Sequence, residues 1–129
     1  MARDSINVIL PVADTTKSVE VAEITKQAVT QANGIKIAKA LENKNNSLQI
    51  FVENTTTDST LTLKAGNEYP NKILGDLTVA LEGSAITVIL LEDISRFENK
   101  DGSILVDFAS GFTGNIWAVA KRSGLKPVV

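Results

Sequence analysis

The side chains behind most enzyme chemistry are missing from this chain, which has no His and no Cys. That removes disulfide frameworks, cysteine nucleophiles, Ser-His-Asp triads, histidine bases and almost every zinc, copper or haem site. An active site would have to be built from carboxylates, Lys, Tyr or Ser. Glu92 and Asp93 are neighbours, but adjacent residues on a strand point to opposite faces and do not share a substrate. Glycoside hydrolysis needs two carboxyls facing one cleft. Asp76, Asp101 and Asp107 are the remaining candidates, and their settings read as turn and strand-rim positions. No D-x-[DN]-x-[DN]-G calcium loop occurs, and Asn99-Lys100-Asp101-Gly102 sets a cation among the would-be ligands. Gly111-Phe112-Thr113-Gly114 has GxxG spacing, yet it joins two expected strands, lacks basic residues and reads as a glycine hairpin. Neither a Walker loop nor a dinucleotide fingerprint is present. The expectation is a protein that is not an enzyme and takes no cofactor or metal.

Contact chemistry is the alternative to catalysis. Trp117 lies between Ile116 and Ala118, on the opposite face of the same expected strand. Two readings stand: packing in the core, or an exposed anchor at a subunit contact, where Trp is enriched. Tyr69 beside Pro70 reads as an outward contact residue. Arg96 is close in sequence to Glu92, Asp93 and Glu98. An ion pair fixing the approach to the Asp101-Gly102 turn and a contact with another chain are both open. Aromatics make up only 5% of the chain, thin material for a sugar-binding platform. The net charge is −2 but unevenly spread: residues 47–107 hold four basic and ten acidic groups, whereas 108–129 hold three basic and none acidic. No dense Lys/Arg cluster exists to release counterions from a nucleic acid, so no nucleic-acid partner is expected. Lys121, Arg122 and Lys126 read as a short basic tail.

These residues must be positioned by strands. The chain's 129 residues suit one domain. Leu48, Ile50 and Val52 alternate with Gln49, Phe51 and Glu53, and Leu61 and Leu63 alternate with Thr62 and Lys64. With the Thr/Asp cluster 55–59 between them, the two read as a hairpin. Leu77, Val79 and Leu81 form a further strand ending at Gly83-Ser84. Ala85–Leu91 is almost continuously apolar, the pattern of a strand covered on both faces. Asp101-Gly102 marks a tight turn before Ile104, Val106 and Phe108, and Ile116–Ala120 is a last strand. Residues 19–33 read as extended with loops. Short strands with turns every 8–12 residues predict an all-β sandwich or barrel. The stretch Ile6–Leu10 is too short for a signal peptide's apolar segment and is stopped by Pro11, and no window approaches a membrane span. A chain made and folded in a cytoplasm, with no membrane partner, is expected.

Several of these signatures recur together. Val52-Glu53-Asn54, Thr62-Leu63-Lys64-Ala65-Gly66 and Gly75-Asp76-Leu77-Thr78-Val79 come first. Leu91-Glu92, Ser95-Arg96-Phe97, Asp101-Gly102-Ser103-Ile104, Val106-Asp107-Phe108 and a Gly-rich final hairpin follow. Over residues 31–120, Asn33-Gly34 included, the chain resembles small virion proteins of tailed bacteriophages, of the head-decoration or capsid-cement kind. The resemblance implies a single-domain β-sandwich, jelly-roll-like, over 18–129. The resemblance does not extend to the N-terminal 30 residues; the loose patterning of residues 1–17 is read as an extended arm that orders against a neighbouring subunit. Such a subunit binds the outside of an assembled capsid, often as a homotrimer, so its partners are the major capsid protein and copies of itself and its location is the virion surface. Ile6, Val8 and Leu10 on the arm, with Tyr69, Arg96 and Trp117, are then the candidate interface residues. Removing residues 1–17 is expected to abolish capsid binding while leaving melting nearly unchanged. The alternatives are a head–tail connector or tail component, and a carbohydrate-binding or adhesion sandwich.

Overall fold

Period-two alternation builds the architecture strand by strand. The computed structural model describes residues 3–9, 12–14, 19–21, 23–38, 46–67, 74–91 and 96–122. One sheet contains β1 (Asp4–Asn7), β5 (Ile35–Ala38), β10 (Ile104–Phe108), β7 (Ser59–Leu63) and β8 (Leu77–Leu81), hydrogen-bonded in that order. The second contains β4 (Gln27–Ala28), β11 (Gly114–Arg122), β6 (Asn46–Asn54) and β9 (Ala85–Leu91). β2 (Val12–Asp14) and β3 (Val19–Val21) pair with each other. The result is an all-β sandwich. Every pairing in the two large sheets is antiparallel except β1 with β5.

The core lies between the sheets. Ile35, Ile37, Leu61, Leu63, Ile104 and Val106 face inward from the first sheet, and Leu48, Ile50, Val52, Ile116 and Ala118 from the second. Fully hidden aliphatic side chains of this kind contribute about 1.5–3 kcal/mol each relative to exposure. Their polar strand neighbours face out, so the strands at 48–54, 104–108 and 116–120 follow the sequence pattern closely. The extended reading of 19–33 also agrees with β3, β4 and the turn at 31–33.

Two expected hairpins are instead crossovers. β6 and β7 belong to different sheets, as do β10 and β11, so 55–58 and 109–113 carry the chain across the sandwich. Alternation does not say which sheet a strand joins, because strands of both sheets bury every second residue against the same core. The two crossovers are tied together where the Thr55 N–H donates to the Thr113 carbonyl at 3.1 Å. Asn54 organises the first of them. It is only 2% exposed, donates from Nδ2 to the Thr57 carbonyl at 2.8 Å and accepts the Thr56 N–H at 3.1 Å. Asn54→Ala strips both groups of their partner, an expected loss of about 1–3 kcal/mol in urea unfolding. Gly114 is required by close approach: a Cβ there would run into the Glu53 carbonyl oxygen.

The N-terminal segment is part of the sandwich over the residues described. β1 pairs with β5 in register Ile6 with Ile37, and Ile6 is buried in the core. Beyond it the Ile9 N–H donates to the Ala118 carbonyl at 2.8 Å, and the Ala120 N–H donates back to the Ile9 carbonyl at 3.0 Å. The segment thus leaves the edge of one sheet and ends on a strand of the other, closing that side of the sandwich. Where an extended arm was expected, residues 4–7 are a sheet strand, because the Ile6 position fills the core. Lys121 and Arg122, expected in a tail, extend β11 opposite Ser47 and Asn46.

The opposite side is formed by β8 and β9. Each is the last strand of its sheet, and only residues 82–84 separate them in the chain. β9 is therefore not covered on both faces: Ile89 and Leu91 point into the core while Ile86, Val88 and Leu90 face out, each about half exposed. The apolar run marks a surface strand whose outer face is uncovered.

Candidate interaction surface

The register of the second sheet sets its outer face in three rows across β11, β6 and β9. They are Asn115–Glu53–Ile86, Trp117–Phe51–Val88 and Val119–Gln49–Leu90. The end nearest β4 is polar. Lys26 places its Nζ 3.4 Å from both Glu53 carboxylate oxygens, and Asn115 Nδ2 donates to Glu53 Oε1 at 2.8 Å. The Asn115 hydrogen bond, then that of Lys26, holds the Glu53 carboxyl below its ordinary pKa. The same ammonium lies 5.3 Å from the Trp117 ring centroid.

Trp117 matches neither sequence reading alone. It is only 6% exposed, yet it lies on the outer side of the sheet, apart from the inter-sheet core. It stacks on Phe51 with centroids 5.5 Å apart and planes within 3°. Its buried indole N–H has no acceptor among the described residues. Beside it, Ser5, Asn7, Val8, Thr25 and Gln27 line a cavity of about 330 Å³. The aromatic pair thus stiffens the middle row, and Val88 continues that row to the edge.

Arg96 acts through carbonyls. Its guanidinium donates to the backbone oxygens of Leu74 at 3.2 Å and Gly75 at 3.1 Å, and it packs 5.0 Å from the Phe97 ring. Its own carbonyl accepts the Gly66 N–H at 3.0 Å. Asp76 joins the same staple, accepting from Lys64 Nζ at 2.8 Å and from the Ala65 N–H at 2.7 Å. The Lys64 hydrogen bond, then the Ala65 N–H, lowers the Asp76 pKa, and Asp76 in turn raises that of Lys64. The staple fixes the segment entering β8, where Leu74 and Leu77 are exposed. Arg96 therefore positions one end of the β8–β9 side.

Of the other sequence candidates, Ile6 is a core residue and its side chain is spent on the fold, while Val8 is partly buried against the same core. Leu10 and Tyr69 lie outside the described residues. Asp76, Asp101 and Asp107 each have separate partners: Lys64 and Ala65, Ser103 and Lys36, and Arg3. Among the described residues no three acidic side chains gather as a metal site, and no helix is long and apolar enough to cross a membrane.

Asp101 gives a pH prediction. The Ser103 hydroxyl, the Ser103 N–H and then Lys36 lower its pKa from 3.8 to about 2. A carboxyl depressed on folding stabilises the protein above its unfolded pKa and loses that contribution as pH falls through the folded one. Melting temperature should therefore drop between pH 4 and pH 2, and Asp101→Asn should flatten that drop while starting from a lower value at pH 5. Parallel slopes for the two proteins in thermal scans would contradict this.

Five large apolar side chains remain exposed around β8 and β9: Leu74 at 57%, Leu77 at 38%, Ile86 at 54%, Val88 at 53% and Leu90 at 52%. Among the described residues only Ile24 is comparable elsewhere. A concentration of this kind on one side of a small domain marks an interaction surface. The apolar run Ala85–Leu91 was the sequence signal for it, because a strand with a partner on its outer face reads the same as one buried inside its own domain. No family model, no curated protein and no solved structure matches this chain.

Proposed function

We propose that this protein is a non-enzymatic structural component of a tailed-phage virion, a decoration or cement protein seated on the outer surface of the head. The observation that carries the reading is the half-exposed row Ile86, Val88 and Leu90, held on a sheet stiffened by the Phe51–Trp117 stack. A rigid apolar face loses little conformational entropy on docking, so its burial goes into affinity. The resemblance of residues 31–120 to decoration proteins supplies the partner: the major capsid protein, with copies of this chain alongside. The acidic stretch 47–107 suits a surface turned away from packaged DNA. Such a protein works by mass action. Binding the expanded shell and not its precursor lowers the free energy of the expanded state by the binding term.

The test is co-sedimentation of the purified protein with DNA-free expanded heads of the phage whose genome encodes it. Saturable binding, with a rise in the melting temperature of the heads, is the expected result. Heads that neither bind the protein nor gain stability would overturn the reading.

A further inference from the structure

The two sides of the sandwich are finished differently. On one, the segment 4–9 runs from the first sheet to the second and occupies β11's free edge at Ala118 and Ala120. On the other, β8 and β9 are each the last strand of their sheet, with no further strand paired to that edge among the described residues. Exposed edges are normally guarded by lysines, prolines, bulges or inward charges. Neither Leu77–Leu81 (Leu-Thr-Val-Ala-Leu) nor Ala85–Leu91 (Ala-Ile-Thr-Val-Ile-Leu-Leu) contains a charge or a proline.

From this we infer that the β8–β9 side is the contact between two copies of the chain, related by a two-fold axis normal to the sheets. The inference rests on the decoration reading only for its biological setting. Such an axis reverses strand direction and keeps each sheet in its own layer. β8 then pairs antiparallel with its own copy while β9 does the same, and both sandwich layers continue across the contact. The sequence is self-complementary under that operation. Val79 is the midpoint of β8 and Val88 the midpoint of β9, so each faces its own counterpart. Ile86 then meets Leu90 and Leu77 meets Leu81, with no charge opposite a like charge anywhere along either strand. Isologous contacts need this self-matching.

The area fits a dimer of moderate strength. Twelve edge residues and five half-exposed apolar side chains offer on the order of 500 Å² per copy, near the lower bound for a specific interface. A concentration-dependent dimer follows. Two copies joined in this way also bring the parts of their Ile86, Val88 and Leu90 rows left outside the contact onto one continuous face. The head-decoration family implies a three-fold assembly. Two open edges on one side favour the two-fold arrangement, since a three-fold ring needs two different surfaces on each copy.

The test is the solution mass by light scattering across a range of concentrations, for the wild type and for a T78K/A80K double variant. Thr78 and Ala80 are exposed on the first sheet, away from the Ile86–Leu90 row, and face each other across the proposed axis. The expected result is a wild-type mass rising to twice 13.8 kDa and a folded variant that stays at 13.8 kDa. The chain has no Cys, so single cysteines report the register without background. Under mild oxidation with copper phenanthroline, V88C should cross-link at least ten-fold faster than I86C. A wild type that is monomeric at every concentration overturns the inference, as does a three-chain mass, a variant with unchanged mass, or equal cross-linking at 86 and 88. Head co-sedimentation is read separately. Heads bound by a monomer sink the dimer and leave the decoration reading, and a dimer that ignores heads does the reverse.

Discussion

Val88→Lys should abolish binding to expanded heads, with at least a hundred-fold loss of affinity in co-sedimentation, while the far-UV spectrum and, at concentrations where the wild type is monomeric, the melting temperature stay close to wild type. Val88 is half exposed at the end of the Trp117–Phe51–Val88 row, so the folded monomer leaves room for an ammonium in water. At a docked apolar surface the same ammonium loses its hydration without gaining a partner, and the valine's burial is lost as well. Together those effects exceed about 3 kcal/mol, roughly two factors of ten. Val88→Ile, which keeps the surface apolar, should retain binding. Equal binding by the lysine variant would remove the outer face of the second sheet from the head contact.

The second large effect is on stability. Ile6→Ala should cost about 2–4 kcal/mol and lower the melting temperature by roughly 10 °C. Ile6 sits opposite Ile37 on β1 and is 8% exposed, so truncation opens a void between edge strand and core. Total stability of a domain this size is on the order of 10 kcal/mol, and the loss is a large fraction of it. Deleting residues 1–17 should therefore destabilise the monomer strongly. If both proteins melted like the wild type, the segment would be an appendage and β1 no part of the working fold.

The individual strands were legible because their cause is local. Ile104, Val106 and Phe108 alternate with Leu105 and Asp107, and that alternation is all a half-buried strand requires. The Asp101-Gly102 turn was legible for a similar reason: Gly102 adopts φ +86°, and the Asp101 carboxylate accepts from Ser103 two residues on. Sheet membership was not legible. Residues 55–58 carry ordinary turn chemistry whether they close a hairpin or cross between layers, and the decision lies in Asn54, whose side chain holds the crossover. Partners distant in sequence were invisible too. Arg96 has acidic neighbours in the chain, and nothing in that local pattern announces its hydrogen bonds to the carbonyls at 74 and 75, about twenty residues away. Of the candidate surface, the sequence marked Ala85–Leu91 as unusual and misjudged what covers it. Apolar periodicity reports that a side chain prefers to leave water and is silent on whether the shelter belongs to the same chain.

The hydrogen bonds between Ile9 and β11 also constrain the order in which this molecule is made. Residue 9 leaves the ribosome more than a hundred residues before Ala118 and Ala120, and until they emerge its strap has nothing to hold. β1 itself awaits β5 and then β10, its second neighbour in the sheet. Contacts of such long sequence separation slow the search for the native state, since loop closure is opposed by entropy before any contact forms. The sandwich therefore closes only once β11 has emerged, and until then the newly made chain has a free edge on each side. At high chain concentration that period is hazardous, because unguarded edges on crowded nascent chains find one another. Refolding yield should accordingly fall with protein concentration well before native solubility is reached.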